Sequence, residues 1–184
     1  MSFKPIHDPT HLYFVTASIV EWLPLFAHEE YASIVLHSLD WHRKQKRILL
    51  YAFVVMPTHL HWIGKPCEPF TIYEVLQSFA SYTAHEILKT LCSKGQDSWL
   101  AVFADHAEPG KRHRIWQKPL AKNVYSKEYL YEKLEYIHSN PFNKKWQLVA
   151  DRADYRYSSA CFYDRGEDAI ICVDDIRQMF VEDE

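Results

Sequence analysis

RILLYAFVVMPTHLHWIGK, residues 47–65, is the stretch of sequence that decides the fold. Its first part, 47–56, is an almost unbroken apolar run rich in β-branched and aromatic residues, which favours a buried strand. Pro57 and Thr58 interrupt the run, and residues 59–65 then alternate as a second strand. Because so short a break separates the two runs, we expect them to form an antiparallel pair.

Further strands and helices are expected on both sides of this pair. The residue pattern predicts strands at 11–20 and 114–117, and helices at 29–44, from Thr71 to about Cys92, and from Ser126 to Asn140. Thr71 and Glu74 have the spacing of a capping box, and Pro141 must end the last helix. The segment 93–113 is expected to be irregular, because glycine and proline interrupt it.

The order of these elements predicts the class of fold. It is compatible with an α+β protein of the ferredoxin-like or RRM-like split β-α-β layout, an antiparallel sheet with helices packed on one face. The chain has 184 residues and no composition break. We therefore expect a single domain over 1–184, with a core at about 10–160 and an acidic C-terminal tail at about 164–184. Because this fold hosts many functions, the function has to be argued from particular residues.

Composition excludes several classes of protein. The four glycines are too scattered to form a phosphate-cradling loop, which argues against Walker-type NTPases and Rossmann dinucleotide enzymes. No apolar run approaches the roughly 20 residues that cross a bilayer, and residues 1–9 show no secretory signal. We expect no membrane partner and a cytoplasmic location. The four cysteines lack C-x-x-C spacing, which favours reduced thiols.

Charge is distributed unevenly along the chain, whose net charge is −3. Residues 111–156 contain eleven Lys and Arg and five acidic residues, a local balance of +6, whereas 164–184 contain eight acidic residues and two Arg. A basic segment can pair with phosphates, although ordinary solvated surfaces give the same pattern. The candidate DNA-binding residues are Lys111, Arg112, Arg114, Lys118, Lys144 and Lys145.

The sharpest local motif is the pair of histidines in the second strand. Side chains at i and i+2 of a strand point to the same face, so His59 and His61 can present two imidazoles together while Leu60 enters the core. Neutral imidazoles on a rigid strand are suited to binding a divalent metal. Two ligands do not make a site, however, and a chain with eleven histidines can contain such a pair by chance.

A second motif lies at the end of the last predicted helix. Tyr136 and Asn140 are spaced i and i+4, which places them on one face of a helix. A protonated phenol is a poor nucleophile, but it can attack a phosphate that a metal polarises. Asn140 could offer its carbonyl oxygen as a third metal ligand. The alternative interpretation is a buried tyrosine and an asparagine that caps the helix before Pro141.

Together the two motifs resemble a known family. The carrying residues are Tyr51 through His61, Ile115-Trp116-Gln117, Tyr136 through Pro141, and Tyr157-Ser158-Ser159 with Tyr155. In order and approximate spacing they resemble the HUH single-tyrosine transposases of insertion sequences, and most of all the REP-associated tyrosine transposases. The resemblance covers about residues 10 to 160.

The resemblance implies a role for each motif residue. His59, His61 and Asn140 would bind Mg²⁺ or Mn²⁺, with positions left open for phosphate oxygen and water. Tyr136 would attack the scissile phosphate, form a 5′-phosphotyrosine and release a 3′-hydroxyl. The partner would be single-stranded or hairpin DNA, and the sequence leaves open whether the chain acts as a monomer or a homodimer.

Two other functions remain open at this point. The chain could be a non-catalytic module derived from such a transposase, which binds single strands through its basic segment and aromatic residues such as Trp62, Trp116 and Trp146. It could also be a hydrolase in which metal-bound water attacks and no covalent intermediate forms. The rival tyrosines are Tyr82, Tyr125, Tyr129 and Tyr131.

Overall fold

The computed structural model describes residues 11–180, and its centre is an antiparallel sheet of four strands. The strands are β1 (Leu12–Ser18), β2 (Ile48–Met56), β3 (His59–Pro66) and β4 (Leu120–Val124), arranged in the order β2-β3-β1-β4. β3 therefore lies between β2 and β1, which are joined through a helix, and β1 lies between β3 and β4. These are two interlocked split β-α-β units. The predicted α+β class and the antiparallel pairing of 47–56 with 59–65 are confirmed.

Five α-helices accompany the sheet: α1 (Glu29–Lys44), α2 (Ile72–Ser93), α3 (Asp97–Asp105), α4 (Lys127–Ser139) and α5 (Ala160–Arg165). The predicted helices α1, α2 and α4 are confirmed, as is the capping box of Thr71 and Glu74. The expectation of an irregular segment at 93–113 was wrong, because α3 forms within it. Phe103 is fully buried there, so packing against the core stabilises a helix with a weak sequence signal.

The helices cover both faces of the sheet, and the expectation of helices on one face was therefore wrong. On one face, α1 and α2 pack against a cluster that includes Phe53, Leu60 and Trp62. On the opposite face, α4 packs against a second cluster that includes Val54 and Ile63. Burial on both faces explains why the strand at 48–56 is apolar almost throughout rather than alternating.

The fourth strand lies later in the chain than predicted. Residues 114–117 do not form a strand, and Trp116 makes only an isolated bridge to Ile19. The Trp116 indole donates a hydrogen bond of 3.0 Å to the hydroxyl of Thr83 on α2. The apolar character of this segment therefore reflects burial against α2 rather than strand formation. Pro119 immediately precedes β4, where a missing backbone N–H disturbs no pairing.

The C-terminal segment protects the outer edge of β2. The carbonyl of Tyr157 accepts from the Val55 N–H at 2.8 Å, and the Asp174 carboxylate accepts from the Leu50 N–H at 2.9 Å. Arg43 of α1 forms a 2.8 Å ion pair with the same carboxylate. The described part of the acidic segment, 164–180, is thus folded against the sheet. Residues 1–10 and 181–184 lie outside the described residues.

None of the described helices is long and apolar enough to span a bilayer. All four cysteines, Cys67, Cys92, Cys161 and Cys172, are free thiols.

Replacing Gly64 of β3 by alanine tests the packing of the central strand. A Cβ at this position would lie 2.6 Å from the Leu49 carbonyl oxygen and 2.8 Å from the Trp62 ring. We expect Gly64→Ala to lower the free energy of unfolding by about 1–3 kcal/mol, because backbone and a buried indole must move. The control Lys65→Ala should change it by less than about 0.5 kcal/mol. Equal denaturation midpoints for the two variants would contradict the proposed packing.

Candidate active site

His59 and His61 lie side by side on the face of β3 that α4 covers. In the register of the sheet, His59 is opposite Ser18 and His61 is opposite Thr16 of β1. Their ring centroids are 4.8 Å apart. Leu60, between them, points into the core on the other face. Strand alternation therefore separates the imidazoles from the core residue, as the sequence predicts.

Helix α4 brings Tyr136 and Asn140 over the two histidines. The helix begins after Ser126, whose hydroxyl accepts a 3.1 Å hydrogen bond from the Tyr129 N–H. Leu130 and Ile137 anchor one side of it to the sheet. The ring centroid of Tyr136 then lies 5.2 Å from that of His61. The predicted i, i+4 pair thus reaches the predicted histidine pair from a different part of the chain.

Exposure differs sharply among these four side chains. The Tyr136 side chain remains 47% exposed, whereas Asn140 is only 4% exposed and both histidines are buried. A substrate could therefore approach the phenol from solvent while the other three groups are held within the protein.

Hydrogen bonds fix which nitrogen of each imidazole is engaged with the protein. Nδ1 of His59 lies 2.9 Å from the Thr58 hydroxyl, and Nδ1 of His61 lies 2.9 Å from the Thr16 hydroxyl. Nε2 of His61 and Nδ2 of Asn140 are buried and have no hydrogen-bond partner among the described residues. Buried polar atoms are normally paired, and a ligand bound in this cavity would complete the pairing of both atoms.

Burial keeps both imidazoles neutral. Desolvation lowers the pKa of His59 to about 4 and, together with the nearby His59, lowers the pKa of His61 to about 3. At neutral pH both rings therefore retain a lone pair, which is the form that coordinates metal ions.

The four side chains border a cavity of about 470 Å³. Its lining residues are Phe14, Thr16, Trp22, His59, His61, Lys133, Tyr136, Asn140, Asn143, Lys145 and Trp146. The lining contains two lysines and no carboxylate, which favours a substrate that carries anionic groups such as phosphates.

No motif in the sequence indicated several of the lining residues. Lys133 precedes Tyr136 by one helical turn, and Thr16 is reached by counting alternate residues of β1, so both could have been found from spacing. Trp22 and Asn143 carry no comparable signal, because a single 3-10 turn (Val20–Trp22) and an irregular loop bring them to the cavity.

The candidate DNA-binding residues do not all meet at this cavity. Lys145 lines it and Lys144 is its exposed neighbour. Lys111, Arg114 and Lys118 instead line a second cavity of about 710 Å³ beside α2. Lys111 forms a 3.1 Å ion pair with Glu108, which neutralises part of that basic surface. Arg112 is exposed and lines neither cavity.

The rival tyrosines lie elsewhere. Tyr82 borders a separate cavity with residues of α1. Tyr125 and Tyr129 stack on each other with ring centroids 5.0 Å apart, and Tyr131 is absent from the cavity wall. Within residues 11–180, Tyr136 alone among the tyrosines lines the cavity that holds His59 and His61.

The three tryptophans suggested to bind single strands differ in their burial. Trp62 and Trp116 are buried in the core, so the suggestion that they bind single strands was wrong, whereas Trp146 lines the cavity.

A conventional metal cluster is absent from the described part of the chain. Residues 11–180 contain no group of three or more His, Cys, Asp or Glu side chains that could hold a metal ion. A three-ligand set at this cavity therefore depends on the amide of Asn140.

Comparison with known proteins finds similarity at the level of structure. No protein-family model and no curated protein matches the chain. A solved REP-associated tyrosine transposase bound to a REP hairpin is similar over 96% of this chain and 93% of its own, with 17% identity and a TM-score of 0.65. A protein from Deinococcus radiodurans R1, provisionally described as a transposase, covers 74% of this chain and 95% of its own, with 14% identity and a TM-score of 0.47.

The similarity to the first of these structures extends over nearly the whole of both chains. The chain therefore has the fold of a REP-associated tyrosine transposase, the family that its sequence motifs resemble.

Proposed function

We propose that the chain is a metal-dependent endonuclease and strand-transferase, a transposase that acts on single-stranded DNA through a covalent 5′-phosphotyrosine. The observation that carries this proposal is the position of Tyr136, whose ring centroid lies 5.2 Å from that of His61 and which shares with both neutral imidazoles a basic cavity open to solvent. A nucleophile beside a candidate metal site is the arrangement that nucleophilic phosphoryl transfer requires.

The residues present fit a divalent metal of the Mn²⁺ or Mg²⁺ type. His59 and His61 would contribute imidazole nitrogens, and Asn140 would contribute its amide oxygen in place of the weak 3.5 Å hydrogen bond that this oxygen accepts from Nδ2 of Asn143. With nitrogen ligands and no carboxylate, the set is better suited to Mn²⁺ than to Mg²⁺. When bound, the metal would act as a Lewis acid on a phosphoryl oxygen.

The reaction balances without an added energy source. A bond forms between the Tyr136 oxygen and phosphorus, and the bond from phosphorus to the 3′-oxygen breaks. The phenol proton leaves Tyr136, and the departing oxygen gains a proton to become the 3′-hydroxyl. Attack by a 3′-hydroxyl on the phosphotyrosine reverses these changes and rejoins a strand, so ATP is not needed.

DNA is the partner that the cavity fits. Lys133 and Lys145 supply positive charge at the cavity wall, and the half-exposed Tyr136 can meet a phosphate arriving from solvent. The transposase that shares the fold was solved bound to a REP hairpin, which supports single-stranded or hairpin DNA as the substrate proposed for this chain. All four proposed active-site residues come from one chain, so the chemistry does not require a second copy.

Replacing Tyr136 by phenylalanine tests the nucleophile. The change removes one oxygen from a half-exposed ring, so the fold and DNA binding should persist, while cleavage of labelled hairpin oligonucleotides with Mn²⁺ should fall by at least about a thousandfold. The covalent adduct should disappear from denaturing gels. Tyr131→Phe, on the same helix but away from the cavity, is the matched control and should retain both.

Three results would contradict this assignment. An adduct formed by Tyr136→Phe would identify another tyrosine as the nucleophile. Cleavage without any adduct would favour the hydrolase with metal-bound water. If the parent protein binds single strands but never cleaves them, the non-catalytic module is the better description.

The pH dependence of Mn²⁺ binding tests the two histidines without relying on cleavage. Because burial holds the pKa values of His59 and His61 at about 4 and about 3, affinity should stay nearly constant from pH 7.5 to about pH 5.5 and fall only below about pH 5. Calorimetric titration measures this directly. His61→Ala should abolish binding, while the exposed His85→Ala should not. Weakening that begins near pH 6.5 would mean that the ligands are ordinary exposed histidines.

Salt dependence tests the basic segment. Affinity for single-stranded DNA should fall steeply as salt rises, and replacing Lys111, Arg112 and Arg114 together by alanine should reduce the slope of log affinity against log salt by about two. The loss should be similar for all sequences, as expected for backbone contacts. The triple variant Lys44→Ala, Lys89→Ala and Lys94→Ala, outside the segment, is the charge-matched comparison. An unchanged slope in the triple variant would restrict phosphate binding to the cavity lysines.

A further inference from the structure

Two tryptophans stand at the rim of the cavity, and each contacts His59. The ring centroid of Trp22 lies 5.8 Å from that of His59, and the centroid of Trp146 lies 5.9 Å from it. Trp22 is 54% exposed, so its indole is accessible from solvent. A largely apolar surface therefore adjoins the polar residues of the proposed active site.

The backbone is strained at Trp22 and directly after Trp146. Glu21 and Trp22 have φ values of 55° and 53°, and Gln147, directly after Trp146, has φ of 47°. Residues with side chains seldom adopt this left-handed region. Only Lys46, in addition, does so among the non-glycine residues of 11–180, so three of these four positions are at or beside the cavity tryptophans.

The surrounding structure holds both strained turns in place. Next to Trp22, the Val20 N–H donates to the Ile115 carbonyl at 2.9 Å, and the Glu21 carboxylate lies 2.9 Å from Nε2 of His106 at the end of α3. Beside Trp146, Asn143 accepts from two successive N–H groups with its carbonyl. Strain that is fixed by its surroundings and concentrated at a cavity is typical of a binding site.

We propose that Trp22 and Trp146 form a nucleobase subsite, where an unpaired DNA base beside the scissile phosphate stacks on the indole rings; this inference rests on the proposed function. Indole faces accept any base, since every base has a π-face, and the adjacent Lys145 supplies charge for the phosphate. Lys145 Nζ itself lies 5.6 Å from the Trp146 ring centroid, which places a cation next to the stacking surface.

The test compares two oligomers of equal charge. Binding of a short labelled oligothymidylate and of an abasic oligomer of equal length is measured by fluorescence anisotropy in EDTA, so that no cleavage occurs. Trp22→Ala should weaken oligothymidylate binding by roughly tenfold and leave the abasic oligomer unchanged. Trp22→Phe should keep most of the preference for bases. Trp41→Ala, which removes a ring that is 45% exposed on α1, should alter neither affinity.

The outcomes separate this inference from the proposed function. If Trp22→Ala weakens both oligomers equally, or neither, the subsite is overturned even though the parent protein cleaves DNA. If the base preference depends on Trp22 but no adduct ever forms, the subsite stands and the cleavage function falls. A parent protein that binds neither oligomer would overturn both.

Discussion

The position of β3 between two other strands, and between two layers of helices, is the constraint on which the rest of the structure depends. Its residues alternate between the α1–α2 core, which takes Leu60 and Trp62, and the α4 face, which takes His59 and His61. A shift of one residue in its pairing would exchange these sets and bury two imidazoles among apolar side chains. Pairing with both β1 and β2 fixes that register.

Burial of the two imidazoles keeps them neutral, and α4 places Tyr136 beside them. Desolvation keeps the rings neutral, and the threonine hydroxyls satisfy one nitrogen of each, which leaves the remaining nitrogens available to a ligand. The apolar side of α4 then fixes the height of Tyr136 above them. The packing of the second core and the geometry of the site therefore depend on the same contacts, those between α4 and the sheet.

The irregular segments protect the edge of the sheet and form part of the cavity wall. Residues 157–174 pair with the outer edge of β2 and so remove an open edge that could template aggregation. The turns at Trp22 and at Trp146 and Gln147 carry strained backbone and border the cavity. The stability of the sheet and the architecture of the site therefore both depend on loops. Contacts with other parts of the chain, rather than local propensity, determine the conformation of these loops.

The sequence by itself determined the strand pair at 47–65, the helices α1, α2 and α4, and the shared faces of His59 with His61 and of Tyr136 with Asn140, because all of these follow from strand and helix periodicity. Tertiary structure alone decided that α4 covers a second face of the sheet, that α3 and β4 form where they do, and that the basic segment divides between two cavities. These features depend on contacts between residues far apart in the chain. Trp22 illustrates the limit, since its place at the cavity follows from a strained turn held by distant hydrogen bonds.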